Sequence, residues 1–243
     1  SVSSTNSKGI VPNNEYERLN FTIRNTATFL NDKLQLDLGA SYVKQKDKNM
    51  VSQGQYWNPV MAAYLFPRGE DFDGIKSFEH FDESRQLPVY TVQNWPVADP
   101  VYASQNPYWT AYRNVATNEK SRYMFNVGLT YNITDWLNAT ARFRMDDTHV
   151  LFERKIYASS DDKFAEGKKG LYGYNNYEDR QEYADFMLNV NKHIADFSIS
   201  ANAGWNYSNY WALERGYKGT LLGVPNKFAA SNIDPANGRI SEK

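Results

Sequence analysis

Six segments of this chain alternate apolar and polar residues at every second position, and that period restricts the fold more than any other feature. In the first segment Leu19, Phe21, Ile23, Ala27 and Phe29 fall on one side, and Arg18, Asn20, Thr22, Arg24, Thr26 and Thr28 on the other. The same alternation recurs over residues 33–42, 122–132, 137–146, 184–191 and 197–207. A strand sends successive side chains to opposite faces, so each segment predicts a β-strand with one apolar and one wet face.

The connections between these segments are unequal. Asn31-Asp32, Thr134-Asp135 and the stretch from His193 to Asp196 read as tight hairpin turns. The others are long, running from about Lys44 to Ser121, from Asp147 to Gln181 and from Asn209 onward. Short turns at one end and long loops at the other are the asymmetry of an outer-membrane barrel. Loops of such length are uncommon in compact soluble domains.

Composition fits this reading. Aromatic residues make up 15% of the chain, yet the mean hydropathy is −0.69, so the rings are not embedded in a large aliphatic core. No apolar run approaches the roughly 20 residues of a membrane-spanning helix, a test that barrel strands are not expected to pass. With the short turns placed at the periplasmic end, Phe29, Tyr131, Trp136 and Phe197 lie at the lower ends of strands. Tyr16, Tyr42, Tyr123, Tyr183 and Tyr207 lie at the upper ends. Tyrosine and tryptophan favour the headgroup level, where the ring is apolar and its polar tip stays wet. The predicted fold is all-β: about six strands of an antiparallel transmembrane barrel, with a long extracellular loop over about 44–121 and lipid against the apolar face. Leu36, Phe125, Leu129, Phe186 and Ile199 are expected on that face, and Arg24, Asn126, Arg142 and Asn202 on the wet one. The alternative is a soluble or surface-attached carbohydrate-binding β-protein with no transport role.

Several chemistries find no support. Lys plus Arg number 27 against 28 Asp plus Glu, so no field draws nucleic acid. The absence of cysteine removes disulfides, thiolate metal sites and a thiol nucleophile. His80, His149 and His193 have no metal-ligand spacing, and neither metal nor cofactor is expected. No nucleophile elbow, phosphate loop or dinucleotide fingerprint occurs. Asp146-Asp147 and Asp161-Asp162 are adjacent in sequence, whereas glycoside hydrolysis needs two carboxylates across a bond. Asp71-Phe72-Asp73-Gly74 reads as a turn, because the downstream glutamate of a calcium loop is missing. The chain is not expected to be an enzyme.

The first long loop carries more specific signals. It contains Asn58-Pro59, then Ala62-Ala63-Tyr64-Leu65-Phe66-Pro67-Arg68-Gly69, then Gln105-Asn106-Pro107-Tyr108-Trp109, followed by Arg113-Asn114 and Arg122-Tyr123. With the turn Thr134-Asp135-Trp136-Leu137, this set resembles the SusC/RagA family of TonB-dependent outer-membrane transporters of Bacteroidetes. The resemblance spans essentially the whole chain. It implies a partial TonB-dependent receptor barrel domain over 1–243, in the outer membrane of a Gram-negative, Bacteroidetes-like cell. It further implies import of an oligosaccharide or a peptide, a SusD-like surface lipoprotein as partner, and TonB acting through a plug that these residues do not include. Six strands cannot close a barrel of about 22, and Ser1 opens in polar sequence with no signal peptide, so an internal fragment is expected.

Within the loop, Pro59, Pro67, Pro88, Pro96, Pro100 and Pro107 fix φ at intervals and bar regular ladders. A short helix is predicted from Val60 to Leu65, after Pro59 in its first turn. Trp57, Phe66, Trp95, Tyr108 and Trp109 are expected to anchor the loop, with Arg68 and Arg113 reaching carboxylates or carbonyls. Candidate ligand-binding rings are Trp57, Tyr108, Trp109, Tyr172 and Tyr174. Each has two uses open to it: a flat platform for a sugar, or packing of the loop against the wall.

Overall fold

The computed structural model describes residues 1–50, 58–81, 91–96, 105–167 and 169–243. Eight strands form one antiparallel sheet in the order β1-β2-β3-β6-β7-β8-β9-β10. Their bounds are β1 Val2–Lys8, β2 Glu15–Phe29, β3 Leu34–Lys48, β6 Asn114–Thr134, β7 Leu137–Tyr157, β8 Gly170–Ile194, β9 Phe197–Thr220 and β10 Arg239–Glu242. Two short strands, β4 Glu79–Phe81 and β5 Thr91–Gln93, pair separately within the first long loop. That loop also carries helices α1 Pro59–Leu65 and α2 Pro107–Arg113, and α3 Asp162–Ala165 joins β7 to β8.

The six expected strands are present, and two more flank them. The first, β1, is polar on both faces and exposed throughout, so no alternation marks it; its ladder to the upper half of β2 holds it in place. The other, β10, pairs only with Arg215 to Lys218 of β9. The strands are also longer than the roughly ten residues that cross a bilayer. β6 and β7 have 21 residues each, β8 has 25 and β9 has 24. The ladders continue past the apolar band, where facing side chains are charged and the alternation signal ends. Lys46 opposite Glu119, joined at 2.6 Å, is one such pair. The first long connection therefore runs over 49–113 rather than 44–121, and the second over 158–169.

The hairpin turns fall where the sequence places them. Leu30, Asn31 and Asp32 take φ of 56°, 54° and 64° between β2 and β3, a left-handed run that Asn and Asp tolerate best. Ala195, at φ 50°, closes β8 onto β9.

Register sorts the side chains into two faces. One row across the sheet reads Ala27, Leu36, Leu129, Ala141, Phe186, Trp205, and the adjacent wet row reads Thr26, Asp37, Gly128, Arg142, Asp185, Asn206. The expected lipid-side and wet-side residues fall on opposite faces accordingly. Ile23, Phe186 and Trp205 remain 55%, 43% and 63% exposed, so the apolar face is not the inside of a closed sandwich. An exposed apolar band of this extent requires an apolar environment or a partner.

The upper ring belt needs one correction. Tyr42 and Tyr123 do share the apolar face, with ring centroids 4.9 Å apart, and Trp211 lies in the same row. Tyr16 and Tyr183 lie on the wet face, opposite Asp47 and Arg144. Height along a strand does not choose a face; the parity of the position does.

Side chains are buried chiefly at the upper end of the wet face, where the row Asn114, Ile156, Leu171, Thr220 is covered. Trp109 of α2 and Ala165 of α3, both 0% exposed, belong to the same packed region.

Candidate functional site

Two regions hold the chemistry-bearing residues: the packed loop at the upper end of the sheet, and the open wet face below it.

Asn106 organises the loop. Fully buried, it caps α2 by accepting from the Tyr108 and Trp109 backbone N–H groups at 2.8 and 3.4 Å. Its amide donates to the carbonyls of Ile75 and Asn94 at 2.9 and 2.6 Å. Trp109 Nε1 donates to Ser160 Oγ at 2.9 Å, and that hydroxyl donates to Asn114 Oδ1 at 3.0 Å. Helix α1 follows its expected bounds, with Pro59 at its start and the Asn58 side chain accepting from the Val60 N–H at 3.0 Å. Phe66 lies 5.2 Å from Phe72 and 5.8 Å from Trp95, and Phe72 lies 6.2 Å from Tyr108. Arg113 chelates the Glu79 carboxylate through Nε, at 2.7 Å, and through its terminal nitrogen. It also lies over the Phe78 and Tyr157 rings. Arg68 stays exposed. The 71–74 stretch is a turn, with Asp71 accepting from the Asp73 N–H at 2.9 Å as the cap of a short 3-10 helix. Pro88 and Pro100 lie outside the described residues.

The five candidate rings do not gather on one surface. Trp57 lies outside the described residues. Trp109 is fully buried and offers no face to a ligand, and Tyr108 is half-buried beside Phe72. Tyr172 and Tyr174 belong to the same face of β8 as Phe186 and Leu188, opposite the wet face. Tyr174 stacks on Tyr217 at 5.3 Å, and Tyr172 is 6% exposed with its hydroxyl donating to Glu153 Oε1 at 2.7 Å. Burial and the neighbouring Glu153 carboxylate push the Tyr172 phenol well above its ordinary range. Burial pushes the Glu153 carboxyl up; donation from Lys155 and from Tyr172 outweighs that and holds it below its usual value.

The wet face presents a different pattern. One row reads Arg24, Gly39, Asn126, Arg144, Tyr183. The Asn126 amide lies over the bare backbone of Gly39, in the space a Cβ would fill. Around this row the face forms an open hollow of about 750 Å³. Two of its five charged side chains, Arg142 and Asp146, have ionic partners. Arg122 chelates Asp146, with Nε at 2.8 Å from Oδ1, and Arg142 Nε lies 3.0 Å from both oxygens of Asp185. Asp37 accepts from the Thr26 hydroxyl at 2.6 Å and the Gln35 amide at 3.0 Å. Arg24 and Arg144 are exposed, and among the described residues neither has a carboxylate partner. Sequence reasoning placed Arg24 on the wet side. That the two guanidiniums stand in one row without acids needs the strand register, which the sequence does not state.

Alternation also separates Asp146 from Asp147. Asp146 meets Arg122 on the wet face, while Asp147 accepts from Arg180 at 2.8 Å and pairs with His149 at 2.7 Å on the other. Adjacent strand positions cannot aim two carboxylates at one bond. Asp161 accepts from the Lys163 N–H at 2.9 Å, a local turn bond. Among the described residues no three His, Asp or Glu side chains converge as metal ligands would, and no helix is long and apolar enough to cross a membrane.

A long antiparallel sheet with one apolar and one charged face is the kind of wall from which β-barrels are built. Two solved structures share this fold over 98% of the chain, both described as the RagAB peptide importer, one in a "closed-closed" and one in an "open-open" state. Their TM-scores are 0.61 and 0.60, at 12% and 14% sequence identity. The chain spans 26% of the length of either, and at such identity the likeness is one of fold. No family model matches the chain, and no curated protein matches it in sequence.

Proposed function

We propose that this chain forms part of the wall of an outer-membrane nutrient importer, with its apolar face toward lipid and its wet face toward the transport lumen. The observation that carries this reading is the separation of faces: a continuous apolar row, Leu36, Leu129, Ala141, Phe186, Trp205, with Leu129, Phe186 and Trp205 exposed, backs directly onto a row of charges and amides. Lipid accepts the first and water in a lumen the second. In this reading a SusD-like lipoprotein meets the upper loops, and TonB acts on elements outside these residues.

Between the two cargo classes, the wet face favours peptides. An oligosaccharide site is built on exposed rings, and of the expected platforms Trp109 is buried while Tyr172 and Tyr174 stand on the other face. The hollow offers guanidiniums, an aspartate and amides, which suit a charged, amide-rich cargo. The solved structures of like fold belong to a peptide importer. The role is transport without covalent chemistry on the cargo.

The test is membrane fractionation combined with uptake. The protein is expected in the outer-membrane fraction and soluble only in detergent, and cells lacking it are expected to lose accumulation of fluorescent short peptides. A monodisperse species in detergent-free buffer would instead establish the soluble carbohydrate-binding alternative, and unaltered peptide accumulation would remove the peptide cargo.

A further inference from the structure

We infer that the hollow on the wet face is a carboxylate-binding site, formed by Arg24 and Arg144 on either side of Asn126. This rests on the importer reading and adds to it the chemical group by which the wall recognises its cargo.

The argument is one of unmatched charge. Of the cations around the hollow, Arg122 and Arg142 are already held by Asp146 and Asp185. Arg24 and Arg144 are exposed and have no such partner among the described residues. Register places them in one row, on β2 and β7, with β3 and β6 between them. At about 4.8 Å per strand their Cα atoms are roughly 14 Å apart, a gap that two extended arginines can close from opposite sides around a small anion. Gly39 keeps the floor of that gap free of a side chain of its own, and the Asn126 amide lies across it. A guanidinium matches the two oxygens of a carboxylate in a planar fork, and an amide N–H₂ adds a third donor. Asp37, one row below and without a cationic partner among the described residues, is placed to receive an ammonium of the same solute. Opposite charges at neighbouring positions match a zwitterion such as a short peptide.

The site binds the carboxylate as a group. A peptide terminus and a uronic acid both carry it, so the test uses both. Titration calorimetry on the detergent-solubilised protein would compare trialanine, trialanine amide and trigalacturonate. Trialanine is expected to bind, more weakly as salt is raised, and the amide to bind far less well. Arg24→Gln and Arg144→Gln are each expected to weaken trialanine by about tenfold, the loss of one charge-assisted contact. Lys44→Gln, on the opposite face, is expected to leave it unchanged. Equal binding of acid and amide, full affinity in the R24Q/R144Q double variant, or no binding of any carboxylate probe would overturn the site. Binding of trigalacturonate but not trialanine, lost in the double variant, keeps the site and assigns it an acidic sugar. Where trialanine binds the wild type, peptide uptake undiminished in the double variant overturns the site and leaves the importer standing. Absence of peptide uptake with the wild type removes the peptide cargo, and the titration then judges the site alone.

Discussion

Arg142 and Asp185 face each other across β7 and β8, and a single guanidinium nitrogen, Nε, stands 3.0 Å from both carboxylate oxygens. Asp185 is 5% exposed, whereas the Arg142 side chain is 44% exposed. The pair is therefore asymmetric: removing the arginine strands a buried anion, while removing the aspartate leaves a cation that water can reach. Arg142→Met is expected to destabilise the sheet by about 1–3 kcal/mol. Asp185→Asn, which keeps an acceptor in place, is expected to cost less. Thermal unfolding in detergent, followed by circular dichroism, would order the two variants; a reversed order would show that the arginine is not what holds Asp185.

Leu129 and Thr130 are neighbours in sequence and opposites in surroundings. Leu129 sits mid-row on the apolar face, 38% exposed, and Thr130 on the wet face. If the apolar face meets lipid, Leu129→Arg costs about 2–4 kcal/mol near the midplane. Thr130→Arg stays within about 0.5 kcal/mol, as surface changes usually do. In a water-soluble sheet an exposed leucine exchanged for arginine costs almost nothing, so equal stability of the two variants would contradict the lipid-facing assignment.

The strands were legible where one face must be apolar and the other wet, and ceased to be legible where both became polar. Lys44, Lys46 and Lys48 continue the same face of β3 as Leu38 and Tyr42, yet nothing in their residue types alternates. Their ladder to Ser121, Glu119 and Thr117 is backbone hydrogen bonding, which leaves no pattern in sequence. For the same reason β1 was invisible. Tyr16 and Tyr183 were assigned to the upper belt by height, and parity places them on the wet face. The role of Asn106 was out of reach because its partners, Ile75 and Asn94, are 31 and 12 residues distant. Arg24 and Arg144 could be read as wet residues but not as a pair, since three ladders have to be known before they share a row.

Among the described residues Trp109 is the largest fully buried side chain, and its indole N–H is bonded to Ser160. Deleting such a ring leaves a cavity, so Trp109→Ala is expected to cost the loop about 3–5 kcal/mol. Trp109→Phe keeps most of the packing and loses the bond to Ser160, about 1 kcal/mol. Because the ring packs α2 against the 158–167 connection, the damage is expected to be local. Hydrogen exchange would register it in those segments, with the β2–β3 ladder unchanged. Uniform loss of protection through the whole sheet would show that the loop and the wall unfold as one unit.

Glu153 and Tyr172 give the upper end of the sheet a dependence on pH at two limits. The Glu153 carboxylate accepts from Lys155 at 2.8 Å and from the Tyr172 hydroxyl at 2.7 Å. Its folded pKa is depressed below the ordinary 4.5. A depressed acid contributes stability above its unfolded pKa and loses it as pH falls through the folded one, so this contribution is complete at neutral pH and fades below pH 4.5. Tyr172 is shifted the other way. Its phenol is held above the ordinary 10.0, first by burial and then by the Glu153 carboxylate, so its contribution is complete below pH 10.0 and is lost on further rise. Melting temperature is therefore expected to be flat between the two limits and to fall beyond each. Glu153→Gln removes the acid-side fall that belongs to this residue. It also softens the alkaline one, because the charge opposing the phenolate is gone while the burial remains. Tyr172→Phe removes the alkaline fall and, by deleting one donor to the carboxylate, brings the acid limit closer to pH 4.5. Profiles of the two variants that both superimpose on the wild type would mean that Glu153 and Tyr172 do not titrate as a pair, and that the hydrogen bond between them contributes no pH dependence to the fold.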